Sequence, residues 1–149
     1  MKTIKMIFDK NVIEEYTNYY FSLHPKAKKP PIKQPYHESI NTWMIMRRPA
    51  MNALKGKWKQ FMVWFVEREG YTNLHIDQCE MTFKTYFPNH RRHDPDNCTP
   101  KFLLDGMVES GMIIDDDMEH IRMLSLVCGI DTERPRTEII ITKIRIKGE

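Results

Sequence analysis

Between Arg91 and Asp117 the chain reads RRHDPDNCTPKFLLDGMVESGMIIDDD. Two groups of acids stand in it, Asp94 with Asp96 and then Asp115, Asp116 and Asp117, with Lys101 and Asp105 one helical turn apart between them. Asp94 and Asp96 are two positions apart, so extended backbone would send both carboxylates to the same side. Acids at two chain reversals separated by one helix can converge at one edge of a sheet. Converging carboxylates repel one another and call for a cation. Hard oxygen donors of this kind suit Mg²⁺, with Mn²⁺ as a substitute, and such an ion can polarise a phosphate and activate water. Arg91, Arg92 and His93 put positive charge directly beside the acids, and Lys101 can orient carboxylates, hold a scissile phosphate or protonate a leaving oxygen. Metal-binding acids flanked by phosphate-binding cations make the pattern that phosphodiester hydrolysis needs.

Taken singly, each feature has a plainer meaning. DPDN is made of turn formers, DDD commonly caps a turn or helix, a Lys-x-x-x-Asp pair is an ordinary surface ion pair, and His90 and His93 read as exposed loop histidines. Their combination at these spacings is what points to a site.

The elements that must position these residues follow from periodicity. Met51, Leu54, Trp58, Phe61 and Phe65 recur at three- and four-residue steps, which predicts a helix over 50–68 that Gly70 stops. Lys55, Lys57 and Lys59 lie on its polar side, with Arg47 and Arg48 just ahead. From Leu74 to Phe87 the period is two, with Cys79, Met81, Phe83 and Phe87 on one face, which predicts a half-buried strand. A helix is expected over 100–110, with Thr99 as N-cap and Pro100 in its first position. Strands fit 119–130 and 137–147, joined by the turn-like DTERPR, and residues 2–8 fit a further short strand. Residues 12–23 show no clean period. The stretch from His24 to Pro35 holds Pro25, Pro30, Pro31 and Pro35 among Lys26, Lys28, Lys29 and Lys33, and reads as an extended basic loop that either links or touches DNA. The order predicts an α+β domain, a mixed sheet of about four strands with two principal helices.

Composition bounds the rest. A chain of 149 residues with 41% hydrophobic and 29% charged residues suits one soluble folded domain, and a net charge of +3 leaves the distribution of charge to decide about DNA. Cys79, Cys98 and Cys128 form no CxxC pair, which disfavours a zinc ribbon or a secreted disulfide framework. No apolar run reaches the ~18 residues of a membrane span, and MKTIKMIFDKNVIEE turns polar too early for a signal peptide. The expectation is a cytoplasmic protein that needs no membrane and no small organic cofactor.

The elements Arg91-Arg92, Asp94-Pro95-Asp96-Asn97, Lys101, Asp105 and Asp115-Asp116 resemble the central motif of the RusA family of Holliday-junction resolvases. The SINTW stretch at 39–43 resembles that family's early Ser-x-Asn loop, and the likeness extends over roughly residues 38–147. It divides the chain into an N-terminal extension, 1–37, and an endonuclease domain, 38–149, within one globular unit. The resemblance implies a Mg²⁺-dependent homodimer, of phage or prophage type, that resolves four-way DNA junctions by paired symmetric nicks. By position it makes Asp94, Asp96 and Asp116 the metal-binding carboxylates, with Asp115 or Asp117 able to share, and Lys101 the catalytic lysine. Lys101 stands four residues after Asn97, one more than the family's usual spacing. A two-fold dimer would supply one site for each strand cut. Arg47, Arg48, Lys55, Lys57, Lys59, Arg91, Arg92, Asn97 and Lys101 are the expected DNA contacts, giving salt-dependent affinity. Two other readings compete: a non-catalytic protein of the same fold that binds branched DNA, and a small interaction domain in which DDD is only a cap.

Overall fold

The computed structural model describes residues 3–148. Its order is β1 (Ile4–Asp9), α1 (Lys10–Leu23), α2 (Ile40–Trp43), α3 (Arg48–Glu69), β2 (Ile76–Phe87), a 3₁₀ turn (Pro95–Asn97), α4 (Lys101–Glu109), β3 (Ile121–Ile130) and β4 (Arg136–Ile146). This is an α+β fold around one mixed four-stranded sheet ordered β1-β4-β2-β3. Lys2, the first residue of the expected N-terminal strand, lies outside the described residues.

Ile4, Met6 and Phe8 alternate inward along β1, which pairs antiparallel with β4 from Ile4↔Ile141 to Asp9↔Arg136. Asp9 then ends the strand and starts α1: its carboxylate accepts from Val12 N–H at 3.2 Å, and Arg134 Nε donates to it at 2.9 Å. Burial opposes ionisation of Asp9, but the Arg134 guanidinium and the Val12 N–H outweigh it and hold the carboxyl below its ordinary range. The stretch whose period was indistinct is thus a 14-residue helix, a third long helix beside the two expected. It inserts Val12, Ile13 and Tyr16 into the core, and Tyr16 meets Phe61 edge-on at 5.2 Å.

The proline-rich stretch is packed rather than free. Ile32 is buried in the core, Pro35 O accepts from Thr137 Oγ1 at 2.8 Å, and Tyr36 meets the Phe87 ring at 5.0 Å. Its lysines remain exposed.

α3 buries Trp58, Phe61, Met62, Phe65 and Val66 and ends at Gly70, whose φ of 87° supplies the left-handed C-cap. α3 and α4 approach through Gly106, where a Cβ would overlap the Met62 side chain and lie 3.1 Å from Lys59 O. β2 runs parallel to β3 and antiparallel to β4, so α4 is the crossover of a parallel β-α-β unit. The DTERPR turn therefore joins strands that do not pair; the chain crosses the end of β2, where Asp131 N–H bonds Phe87 O at 2.8 Å. Near the end of β4, Lys143 takes φ 50° and the register with β2 shifts, which turns Ile144 inward after Ile139 and Ile141. No helix among the described residues is long and apolar enough to cross a membrane.

Candidate functional site

β2 ends at Phe87, and the chain turns beside the parallel strand β3. Arg91 N–H donates to Asn89 Oδ1 at 3.1 Å, and the His93 ring lies flat on Phe87, 3.5 Å between centroids. Asp94 is extended (φ −99°, ψ 132°), but the backbone does not stay so. Pro95, with its fixed φ, begins a 3₁₀ turn closed by Asn97 N–H to Asp94 O at 2.9 Å. The geometry expected for Asp94 and Asp96, side by side on extended chain, is therefore not adopted. Both acids instead bear on Cys98, whose thiol is pushed up to about 12 by burial, by its contact with Cys128, and by these two carboxylates. Asp94 is half-buried and paired with Arg92 Nε at 3.2 Å, while Asp96 is exposed.

α4 starts differently from the expected cap. Pro100 occupies the N-cap position (φ −90°, ψ 40°), no side chain of its own turn caps the helix, and Thr99 Oγ1 is buried without a hydrogen-bond partner. Pro100 leaves αR geometry, so its carbonyl takes Leu104 N–H at 2.9 Å and the helix begins one residue later, at Lys101. The free N–H of Phe102 donates to His37 Nε2 at 3.2 Å. His37 Nδ1 lies 2.6 Å from Glu38 O, so the network makes Nδ1 the donor and Nε2 the acceptor of a neutral ring. Burial pushes the His37 pKa down to about 4, which keeps that tautomer neutral. The ring lies between Trp58 and Phe102.

From α4, Asp105 faces α3, where Lys55 Nζ is 3.7 Å from its Oδ2. That distance is too long for a hydrogen bond, and Asp105 Oδ2 is buried without one. Lys55 thus neutralises Asp105, and Lys59 pairs with Glu109 at 3.5 Å. Lys101 is exposed and makes no ion pair among the described residues.

The three aspartates after α4 divide by role. Asp117 Oδ1 accepts from Glu119 N–H at 3.0 Å and from His120 N–H at 3.2 Å, and lies 2.5 Å from His120 Nδ1. That histidine holds the Asp117 carboxyl below its ordinary range, and Asp117 raises His120 in return. Asp117 is the cap of its own turn. Asp115 Oδ1 receives the N–H of Asp116 at 2.8 Å. The Asp116 carboxyl is held above its ordinary range by burial first, then by Asp115 and by the charge of Asp105. Asp105, Asp115 and Asp116 form one electrostatic group; Asp94 and Asp96 form another around Cys98. No group of three or more His, Cys, Asp or Glu side chains among the described residues is gathered closely enough to hold a metal ion.

A cleft of about 580 Å³ opens beside Asp94, with Ser39, Asn41, Arg91, Arg92 and Asn97 also on its walls. The SINTW stretch is thereby brought to the Asp94 turn. Asp96, Lys101, Asp105 and Asp116 are not among the lining residues. Arg47 and Arg48 sit exposed at the start of α3, where their charge opposes the helix dipole.

The unsatisfied polar atoms are informative. Trp43 Nε1, His93 Nε2, Thr99 Oγ1 and Asp105 Oδ2 are the buried side-chain atoms without hydrogen-bond partners among the described residues. Three belong to the Asp94 turn or to α4, and the fourth, Trp43, packs against Phe102 at 5.2 Å. Folds retain such atoms where strain or a ligand explains them. His37 escaped sequence reasoning because a lone histidine behind a proline-rich stretch carries no spacing signal. Asp105 was visible in the motif and as the partner of Lys101, but not as the partner of Lys55 that it is. Comparison with protein-family models finds no match to this chain, and comparison with curated proteins finds none either.

Proposed function

We propose that the protein is a Mg²⁺-dependent endonuclease of RusA type that resolves four-way DNA junctions by paired symmetric nicks, acting as a homodimer. The observation that carries this reading is the electrostatic state of Asp105 and Asp116. An Asp105 oxygen buried without a hydrogen bond and faced by Lys55 at 3.7 Å, beside an Asp116 carboxyl that burial, Asp115 and Asp105 push up, is a donor set that a further cation would stabilise. Hard oxygen donors match Mg²⁺ or Mn²⁺ in chemical type, although among the described residues they stand in two groups not gathered into one metal-holding set.

Asp94, Asp96 and Asp116 would hold the metal, with Asp115 sharing and Asp105 reinforcing the field. When bound, the ion supplies Lewis-acid polarisation of the scissile phosphate and a water of lowered pKa. Lys101, exposed at the first turn of α4 with no ion pair among the described residues, would receive a phosphate oxygen or protonate the leaving oxygen. Arg91, Arg92 and Asn97 would hold the backbone at the cleft, while Arg47, Arg48 and Lys57 would extend the basic surface along α3; Lys55, also expected to touch DNA, faces Asp105 instead. Cations at a helix N-terminus cost stability unless an anion offsets them, which favours phosphate at Arg47 and Arg48.

A second reading has its own support. Because no three acids are gathered among the described residues, a protein of this fold that binds branched DNA without cutting it is the alternative. A synthetic four-way junction incubated with Mg²⁺, with EDTA, and with Asp96→Asn separates the two: the nuclease cuts only in the first condition, and the binder cuts in none.

A further inference from the structure

Cys98 Sγ lies 3.2 Å from Cys128 Sγ, and both are free thiols 30 residues apart in the chain. Cys98 closes the 3₁₀ turn that carries Asp94 and Asp96, its N–H bonded to Pro95 O at 3.1 Å. Cys128 stands on β3, the edge strand, opposite Thr85 of β2. The third cysteine, Cys79, is 2% exposed and belongs to the core, whereas Cys98 and Cys128 are half-buried at the rim and open to a small oxidant. A disulfide has its sulfurs about 2.0 Å apart, so the pair needs to close by only a little over an ångström.

We infer that Cys98 and Cys128 form a reversible dithiol–disulfide site that fastens the Asp94–Asn97 turn to the edge strand when a hydroperoxide oxidises it. One sulfur attacks the peroxide oxygen; an S–O bond forms, the O–O bond breaks, and the released oxygen takes the thiol proton and leaves as water from hydrogen peroxide or as the alcohol from an organic hydroperoxide. The second sulfur then displaces the sulfenic hydroxyl, also as water, and the S–S bond forms. Two thiols thus lose two protons and two electrons, and one hydroperoxide is reduced. A thiol reductant reverses the step by exchange. The bridge adds a covalent anchor between this turn and β3, which share no backbone hydrogen bond among the described residues. The inference does not rest on the nuclease reading, since it concerns only the thiols and the turn.

The test uses the full chain, reduced, freed of reductant and treated with hydrogen peroxide. Expected are a monomer lighter by two hydrogens, a proteolytic fragment joining the segments around Cys98 and Cys128, and slowed amide exchange over residues 94–98. The Tm should rise by about 5–10 °C, and dithiothreitol should reverse every change. Cys79→Ala should still form the bridge and show the same oxidation-dependent rise in Tm; Cys128→Ser and Cys128→Ala should lose both. No intramolecular bridge in the wild type, a bridge that persists without Cys128, or a bridge that leaves exchange at 94–98 unchanged would each overturn it.

Discussion

The Nε2 of His37 accepts the backbone N–H of Phe102 at 3.2 Å, which caps α4 from a residue 65 positions earlier in the chain. Helices leave their first N–H groups unpaired, and here a distant imidazole does what a local Ser, Thr or Asp usually does. The packed segment that ends at His37 thereby fixes the start of the helix carrying Lys101 and Asp105.

This cap depends on pH in a defined direction. The folded His37 has a pKa near 4 against an ordinary 6.5, so between these values the unfolded chain takes up a proton that the fold refuses. The cap's contribution is complete above pH 6.5 and is lost as pH falls toward 4, at a cost on the order of 2 kcal/mol. Thermal melts from pH 7 to 4.5 should show this loss in the wild type. In His37→Gln, whose amide oxygen can still accept from Phe102, that part of the slope should vanish.

Asp116 should trade stability against activity. Burial and the acids Asp115 and Asp105 disfavour its charge, so Asp116→Asn relieves repulsion and should raise the Tm in EDTA by about 1–4 °C. The same substitution should lower Mg²⁺-dependent cleavage on the order of 10²-fold, the scale of losing one charge-stabilising group. A melt and a cleavage time course on one preparation check both halves.

Lys101→Ala should leave the melting curve within about 0.5 kcal/mol of wild type, because the side chain is exposed and makes no ion pair among the described residues. Junction affinity should lose about one phosphate's worth of salt dependence, measured as the slope of log K against log salt. Cleavage at saturating protein should fall further than binding does.

Gly106→Ala places a methyl group where the Met62 side chain and Lys59 O already lie, and should cost about 1–3 kcal/mol in chemical denaturation. Met62→Ala should recover part of that loss when combined with it, since the cavity accepts the new methyl.

The parts of this fold legible in the sequence are those written as periodicity. The aromatic steps of α3, the alternation of β2 and the isoleucines of β4 each bury one face and mark themselves. α1 did not, because Tyr16, Tyr19 and Tyr20 blur the boundary between its buried and solvent faces. The crossover of β3 past β2 was not legible either, since a polar turn between two strands looks alike whether or not they pair. At the site, residue types were legible and geometry was not. Pro95 bends the Asp94–Asp96 step into a 3₁₀ turn, Pro100 displaces the helix start from Thr99, and Asp117 is committed to its own turn and to His120. His37 and the Cys98–Cys128 contact exist only through tertiary packing.

The most direct test of the central claim is strand cleavage of a synthetic four-way junction by the full chain with Mg²⁺, with EDTA and with Asp96→Asn. The account predicts paired, symmetric nicks with Mg²⁺ alone, and bound but intact junction with EDTA or with Asp96→Asn. A junction that wild-type protein binds but leaves uncut in Mg²⁺ and in Mn²⁺, or one that Asp96→Asn cuts as well as wild type, would contradict it.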